Sequence, residues 1–141
     1  MTSLPPLQDI FDEYELLEGE DRYRLLDFTT EFDVALAAAD ISVCRAGGSI
    51  FELAAAGLPA VLVPYPHATA DHQALNAKWL TDGDAAVMIR DHDLNGESLR
   101  GLLDPMLADS SRLETMRANA LELAMPDAAD RIAEELIEAA G

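Results

Sequence analysis

The stretch that decides the fold is Ile41–Gly57, with the sequence ISVCRAGGSIFELAAAG. It begins with a short apolar run, Ile41–Cys44, continues through a turn with two adjacent glycines, and ends in an alanine-rich segment that stops at Gly57. A buried strand, a glycine turn and a short helix have this pattern, because helices commonly end at a glycine. The stretch therefore predicts one strand–turn–helix unit.

Apolar runs and helical segments alternate along the first two thirds of the chain. Strands that alternate with helices at this spacing favour βαβ units and a parallel sheet, and almost wholly apolar strands are typical of a sheet covered on both faces. We therefore predict an α/β fold over residues 21–141, a Rossmann-like parallel sheet flanked by helices, with residues 1–20 as a helical or loose lead-in. The predicted strands are Tyr23–Leu26, Ile41–Cys44, Ala60–Val63 and Ala85–Ile89, and the predicted helices are Phe32–Ala39, Ser49–Ala56 and Thr69–Asp82.

Beyond Ile89 the pattern contains helices only, which predicts a helical C-terminal tail. Pro105 is expected to kink or end the first tail helix. Ser111 and Glu114 have the spacing of a capping box at the start of the next helix, and Pro126 suits the first position of the last one. The stripes predicted to be buried are Leu99, Leu102, Leu103, Met106 and Leu107 in the first tail helix, and Ala129, Ile132, Ala133, Leu136 and Ile137 in the last.

The charge balance is strongly acidic, with 27 Asp and Glu residues against 9 Lys and Arg residues and a net charge of −18. Because nucleic acid and anionic lipid headgroups need a cationic patch, this balance argues against either as a partner. The N-terminal residues lack the basic start and apolar core of a signal peptide, and the longest apolar run is too interrupted to cross a bilayer. These features predict a cytoplasmic protein of one domain with no direct membrane insertion.

The turn Arg45–Ser49 has two interpretations. In the first, Gly47 and Gly48 let backbone N–H groups approach a phosphate at the start of a helix, and Glu52 accepts hydrogen bonds from a ribose diol. In the second, Ser49-x-x-Glu52 is a capping box, in which both side chains satisfy backbone donors. The local sequence by itself favours the capping box.

A second polar segment, Tyr65–Ala77 (YPHATADHQALNA), follows a predicted strand. It therefore lies at a carboxyl strand end, where ligands bind in open α/β sheets. His72, Gln73 and Asn76 share one face of the predicted helix, and amide side chains suit sugar hydroxyls because they both donate and accept hydrogen bonds. The alternative is an ordinary polar face in contact with solvent.

The histidines, acids and cysteine of the chain favour structural or solvated roles over chemistry. The spacing of His67, Asp71 and His72 matches no zinc signature, and a triad with Ser49 lacks the GxSxG elbow. We therefore expect no metal and no cofactor. Cys44, the only cysteine, is expected to be a small buried core residue, and His92 is expected to be solvated.

The residues from Val43 to Leu80, VCRAGGSIFELAAAGLPAVLVPYPHATADHQALNAKWL, resemble the donor-binding half of the bacterial UDP-N-acetylglucosamine transferases that form lipid II. The specific features are Arg-Ala-Gly, Gly-Leu-Pro, Pro-His, Asp-His-Gln and Asn-Ala at these spacings, and the resemblance extends from about Tyr23 to Ile137. It implies the C-terminal half of a GT-B glycosyltransferase. Such enzymes are inverting and metal-independent, and this family transfers N-acetylglucosamine to a lipid-linked muramyl-pentapeptide in peptidoglycan synthesis.

The resemblance also implies a UDP-N-acetylglucosamine site, motif by motif. Arg45 would support both the loop and the anionic phosphate. Phe28, Thr29 and Phe32 would contact the uracil, and Glu52 would bind the ribose hydroxyls. Gly47, Gly48 and Ser49 would lie at the pyrophosphate and the sugar. Gln73 and Asn76, with His72 beside them, would bind the sugar hydroxyls.

Two departures from the family pattern limit these assignments. The segment from Arg45 to Glu52 is one residue shorter than is common, which leaves open the register of Gly48, Ser49 and Ile50 against the ligand. The sequence also has no stretch that resembles the acceptor domain, which holds the base and the membrane contact in the family. No catalytic residue is therefore assigned, and the expected partner is an acceptor domain or subunit, through which the lipid-linked acceptor is reached. A donor subunit of a split transferase and an inactive truncated fragment are the alternatives.

Overall fold

The computed structural model of the protein describes residue 26, residues 28–67 and residues 69–141. Contacts within the chain divide it into two units, Met1–Phe32 and Asp33–Gly141, and nearly all of the described residues belong to the second. The predicted lead-in over residues 1–20 lies outside the described residues. So does the predicted strand Tyr23–Leu26, except for Leu26 itself, which is not in a strand.

The described part of the chain alternates helices and strands before it ends in helices. The predicted strands after Leu26 and the predicted helices up to Asp82 are confirmed to within one or two residues at their ends, apart from the start of the third helix. In chain order the elements are α1 (Phe32–Ala38), β1 (Ser42–Cys44), α2 (Ile50–Ala56), β2 (Ala60–Leu62), the 3-10 helix Thr69–Asp71, α3 (His72–Asp82), β3 (Ala86–Met88), the 3-10 helix Asp91–Asp93, α4 (Gly96–Ala108), α5 (Ser110–Leu123) and α6 (Ala128–Ala140).

The three strands of the described residues form a parallel sheet in the order β1-β2-β3. Successive residues of a strand point to opposite faces, so Ala60 and Leu62 of β2 face one way and Val61 faces the other. All three are buried, which shows that both faces of the central strand are covered. Because the strands are parallel, their carboxyl ends meet at the same edge of the sheet.

Two hydrophobic clusters cover the two faces. On one face, Ala60 and Leu62 pack with Leu53 of α2 and Leu80 of α3. On the other face, Val61 packs with buried methionines of α4 and α5, Met106 and Met116. The prediction of a Rossmann-like parallel sheet flanked by helices, with a helical C-terminal region, is confirmed.

The first tail helix, α4, has a capped start that was not predicted, and it continues past Pro105. It begins with a complete capping box that the sequence analysis missed: Asn95 Oδ1 accepts from Glu97 N and Ser98 N, and Ser98 Oγ accepts from Asn95 N at 2.9 Å. Pro105 does not end the helix, which continues to Ala108. Met106 is buried as predicted, but Leu107 is exposed.

The predicted starts of the last two helices are wrong. Helix α5 is capped by Asp109, whose carboxylate accepts from Ser111 N and Arg112 N, so Ser111 and Glu114 do not form the capping box. The Ser111 hydroxyl also donates to this carboxylate, and this bond is the largest cause that holds the pKa of Asp109 below its ordinary value. Helix α6 begins at Ala128 with Asp127 in the cap position, so Pro126 precedes the helix.

The predicted buried face of α6 is also wrong. Ile132, Leu136 and Ile137 are 58%, 65% and 71% exposed, and no residue of α6 is buried. Their spacing gives the helix a strongly apolar side, but no described part of the chain covers that side. A periodic apolar stripe predicts amphipathicity correctly, yet it does not say what packs against it.

Candidate functional site

The carboxyl ends of β1 and β2 bring the two polar segments of the sequence together. The chain leaves β1 through the turn Arg45–Ser49 and enters α2. It leaves β2 through Tyr65 and reaches α3 after a short 3-10 helix. Gln73 and Asn76 on α3 both hydrogen-bond to the backbone of Ala46 in the first turn, so the two segments form one surface at this edge.

Gln73 holds two backbone segments with one oxygen. Its Oε1 accepts from Ala46 N at 3.2 Å and from Tyr65 N at 2.9 Å. Since both partners are donors, the amide orientation is fixed by the network. Its Nε2 then lies beside Gly47, 3.7 Å from where a Cβ on that glycine would stand. Among the described residues Nε2 donates no hydrogen bond, so Gln73 keeps a free donor at the turn.

Asn76 has the opposite arrangement. Its Nδ2 donates to the carbonyl oxygen of Ala46 at 3.0 Å, which leaves Oδ1 as the free end of the amide within the described structure. The predicted pair of sugar-binding amides therefore presents one donor and one acceptor, each oriented by a bond to the protein backbone. His72, predicted beside them, is exposed at the first position of α3.

The glycine turn exposes backbone donors. The N–H groups of residues 50–52 donate to the carbonyl oxygens of Gly47, Gly48 and Ser49 in that order, at 3.3, 3.2 and 3.1 Å. The N–H groups of Gly47, Gly48 and Ser49 themselves have no partner in the described part of the chain. A Cβ on Gly48 would meet nothing within 4 Å, so the space above the turn is open.

The alternative interpretation of the turn, a capping box between Ser49 and Glu52, is wrong. Ser49 has helical backbone angles and makes no side-chain cap hydrogen bond, because its peptide already belongs to the tight first turn. Glu52 is exposed one turn into α2. Its carboxylate has no ion pair or hydrogen bond with any described residue.

Arg45 spans the edge of the sheet. Its Nη1 donates to the carbonyl oxygen of Val63, just beyond β2, at 3.3 Å and also to Asp91 Oδ1, beyond β3. Its guanidinium carbon lies 5.6 Å from the centre of the Tyr65 ring, within cation–π range. Arg45 thus links the loops at this edge, and its charge is already paired with a carboxylate.

Asp91 is the site-edge residue that the sequence analysis missed. It lies directly before His92, which is exposed as expected. The available signal was position: Asp91 follows the third strand, at the same edge as Arg45 and Gln73. The sequence pattern does not show that Asp91 pairs with Arg45, because the two residues are 46 positions apart.

The start of α3 is strained, which corrects the prediction of a continuous helix from Thr69. Ala70 and Asp71 both have left-handed backbone angles, with φ of 51° and 56°, an arrangement that costs free energy for residues other than glycine. The carboxylate of Asp71 lies 3.8 Å from Arg90 Nη1. A second ion pair therefore links the segment after β3 to the start of α3.

The residues predicted to bind uracil belong to the first unit or its boundary. Phe28 and Phe32 are exposed, and Thr29 Oγ1 accepts from Glu31 N at 3.0 Å. These are the features of a surface segment with a local turn. The assignment of Phe28, Thr29 and Phe32 to uracil stays a prediction.

The remaining candidates for chemistry are a metal site and the thiol of Cys44. Among the described residues, no group of three or more His, Cys, Asp and Glu side chains is arranged to hold a metal ion. Cys44 is half-buried rather than fully buried, and burial raises the pKa of its thiol, so it stays neutral. In the described part of the chain, no helix has the length and apolar character to span a membrane.

Comparisons with known proteins agree on one family. Residues 6–132 match the model of the glycosyltransferase family 28 C-terminal domain. The chain is 43% identical to the UDP-N-acetylglucosamine--N-acetylmuramyl-(pentapeptide) pyrophosphoryl-undecaprenol N-acetylglucosamine transferase of Nitratidesulfovibrio vulgaris strain DP4. This alignment extends over 121 residues, which are 85% of this chain and 33% of the relative. The transferase of the same name from Rubrobacter xylanophilus is 38% identical over 125 residues, covering 88% of this chain and 37% of the relative.

A solved structure supports the same relationship. The crystal structure of Acinetobacter baumannii MurG matches with a TM-score of 0.76 and 34% sequence identity, over 82% of this chain and 35% of that one. The chain therefore spans about a third of the length of the relatives it matches. The resemblance inferred from the motifs is confirmed, and the chain belongs to the C-terminal domain family of glycosyltransferase family 28.

Proposed function

We propose that this chain is the UDP-N-acetylglucosamine-binding domain of an inverting glycosyltransferase that makes lipid II in peptidoglycan synthesis. The observation on which the proposal depends is the turn after β1, where three consecutive N–H groups at Gly47, Gly48 and Ser49 have no partner among the described residues. Successive free N–H groups form a concave site for an anion. The diphosphate of a UDP-sugar is an anion of suitable size and charge.

The polar groups around the turn suit the rest of such a ligand. Gln73 Nε2 offers a donor beside Gly47, and Asn76 Oδ1 offers an acceptor on the same helix face. Sugar hydroxyls need both, because each donates one hydrogen bond and accepts others. Glu52, which caps nothing, is available to accept from the two hydroxyls of the ribose. His72 lies at the exposed start of the same helix as the amides.

The domain would contribute to catalysis by binding and orientation. In the proposed reaction, the C4 hydroxyl of the lipid-linked muramyl sugar attacks the anomeric carbon of N-acetylglucosamine, and UDP leaves with the bonding electrons. Backbone donors already fixed at the turn would stabilise the charge that grows on the diphosphate. Gln73 and Asn76 would hold the sugar in line with the attacking hydroxyl.

The acceptor and the base would come from outside this domain. We propose that an acceptor-binding half, from the same protein or a separate subunit, completes the cleft and holds the lipid-linked substrate. The complete enzyme would then work at the cytoplasmic face of the membrane. We retain residues 21–141 as the proposed UDP-sugar-binding domain, with residues 1–20 as its lead-in.

Calorimetric titration tests the donor site directly. The chain should bind UDP-N-acetylglucosamine and UDP, and it should bind UDP-N-acetylglucosamine more tightly because the sugar adds contacts to Gln73 and Asn76. Moderate salt in the buffer screens repulsion between the anionic ligand and the acidic chain. Absence of binding at millimolar ligand, both for this chain alone and after an acceptor half is supplied, contradicts the proposed function.

Glu52→Gln is expected to weaken binding of UDP-N-acetylglucosamine by about 10- to 100-fold, since a hydrogen bond to a charged group is worth about 1.5–3 kcal/mol. The free energy of unfolding should change by less than about 0.5 kcal/mol, as for other exposed substitutions, because Glu52 makes no cap. Calorimetry and urea denaturation measure the two quantities. Glu97→Gln, in the first turn of α4, is the matched control, and equal affinities for all three proteins contradict the role of Glu52.

Gly48→Ala should separate folding from binding in the turn. A methyl group at this position meets no protein atom within 4 Å, so we expect the melting temperature to stay within about 2 °C of the wild type. The same methyl group adds bulk to the turn that bears the free N–H groups, and UDP should therefore bind at least about 10-fold more weakly. Gly96→Ala, which also meets open space, controls for the loss of a glycine. Wild-type affinity in Gly48→Ala would place the diphosphate elsewhere.

A further inference from the structure

One guanidinium group touches segments that follow all three strands of the sheet. Arg45 itself follows β1, its Nη1 donates to the carbonyl oxygen of Val63 after β2, and the same nitrogen donates to Asp91 after β3. Arg45 is also the residue directly before Ala46, whose N–H and C=O groups are held by Gln73 and Asn76. The position of the glycine turn is therefore set from two sides, by the amides of α3 and by Arg45.

Asp91 determines where Arg45 points. An arginine side chain that is about half exposed, as this one is, has many rotamers open to it in solvent, and fixing it costs conformational entropy. The contacts to Val63 and to the Tyr65 ring are neutral, so Asp91 supplies the charged contact that orients the group. Without that carboxylate, the guanidinium would lose its strongest partner at the sheet edge.

We infer that Asp91 is a positioning residue of the ligand site, which holds Arg45 across the strand ends and thereby fixes the turn Arg45–Ser49. The ligand-binding part of its test rests on the proposed function. Its rival is that Arg45 binds the diphosphate directly and Asp91 only competes with the ligand for the guanidinium. The two views predict opposite signs for the loss of the Asp91 charge.

The decisive substitution is Asp91→Asn. It removes a negative charge near an anionic ligand, which by simple electrostatics favours binding. If Asp91 positions the turn, binding of UDP-N-acetylglucosamine should nevertheless weaken, by about 3- to 5-fold, the effect of losing an exposed ion pair. Asp91→Glu, which keeps the charge, should restore most of the affinity. Unchanged or tighter binding by Asp91→Asn overturns the inference.

Asp93→Asn is the matched control for charge. Asp93 is two residues away on the same exposed segment, and its carboxylate lies 3.4 Å from His92 Nε2. The substitution changes the net charge by the same amount without touching Arg45. We expect Asp93→Asn to bind the ligand at least as tightly as the wild type, and a loss equal to that of Asp91→Asn would assign the effect to charge and not to position.

A ligand-free measurement keeps this inference separate from the proposed function. The N–H of Ala46 is bonded to Gln73 Oε1, and its hydrogen exchange reports how firmly the turn is held. In Asp91→Asn this amide should exchange about 3- to 5-fold faster than in the wild type, while Asp93→Asn should leave it unchanged. If the wild type fails to bind the UDP-sugar, the proposed function fails, and the Ala46 exchange rate still decides whether Asp91 holds the turn.

Discussion

Replacing Gln73 with alanine is expected to weaken binding of UDP-N-acetylglucosamine by about 30- to 100-fold, because two kinds of interaction are lost together. The side-chain oxygen holds Ala46 N and Tyr65 N, and the side-chain nitrogen faces the turn beside Gly47. The free energy of unfolding should also fall, by about 1–3 kcal/mol, since two backbone donors lose their acceptor. Calorimetry and urea denaturation measure these two effects on the same protein.

Gln73→Glu separates the two roles of this side chain. A carboxylate keeps an oxygen for both backbone donors, so the stability should stay close to that of the wild type. It replaces the free donor with a second oxygen and adds negative charge at the turn, so ligand binding should fall at least as far as in Gln73→Ala. If Gln73→Glu binds UDP-N-acetylglucosamine as tightly as the wild type, Gln73 supports the backbone only and does not touch the ligand.

The second large effect is expected at Gly57, where alanine should lower the free energy of unfolding by about 2–4 kcal/mol. Gly57 ends α2 with left-handed backbone angles, φ 60° and ψ 40°, which cost free energy for any residue with a Cβ. A Cβ here would also stand 2.9 Å from Leu121 Cγ on α5, so the Leu121 side chain must move. Urea denaturation measures the loss, which is a large part of the stability of a small domain.

Gly101→Ala is the matched control for Gly57→Ala. Gly101 lies inside α4, where a Cβ meets no atom within 4 Å. Alanine is the better helix former, so this substitution should raise the free energy of unfolding by about 0.5–1 kcal/mol. Equal urea midpoints for Gly57→Ala and the wild type would contradict the account. The Gly-Leu-Pro motif would then need a reason other than the end of α2.

The strands and helices were predictable because their patterns are local. An apolar run that follows a helix-ending glycine can bury both faces only in a covered sheet, and β2 does so. Gly57 stops α2 because few other residues adopt its backbone angles cheaply. The start of α3 was not predictable in the same way, since Ala70 and Asp71 are ordinary residues in a conformation that the surrounding structure imposes.

Capping is where local spacing failed. Ser49-x-x-Glu52 and Ser111-x-x-Glu114 both have the spacing of a capping box, and neither forms one. A cap requires an extended residue directly before the helix, and Asn95 and Asp109 have that backbone while Ser49 is already helical. Spacing alone cannot supply this information.

The proximity of the two polar segments was predictable from the sequence, but the hydrogen bonds between them were not. The motifs placed Gln73 and Asn76 near the glycine turn, and their hydrogen bonds to Ala46 agree with that placement. The sequence could not show that one end of each amide side chain would hydrogen-bond to the backbone. Nor could it show the link between Arg45 and Asp91, because pairs so far apart in sequence are set by the packing of the whole sheet.

The coincidence of chain order and sheet order bears on the route by which the chain folds. In the described sheet β1 pairs with β2 and β2 pairs with β3, and partners such as Val43 and Val61 are separated by a single helix. Short loops cost little entropy to close, and near-neighbour pairing favours fast folding. We expect the edge that bears the turn to assemble stepwise, with β1 and β2 joined first. On this route the contact of Arg45 with Val63 forms before its ion pair with Asp91, and the ion pair is the last contact of Arg45 to form at this edge.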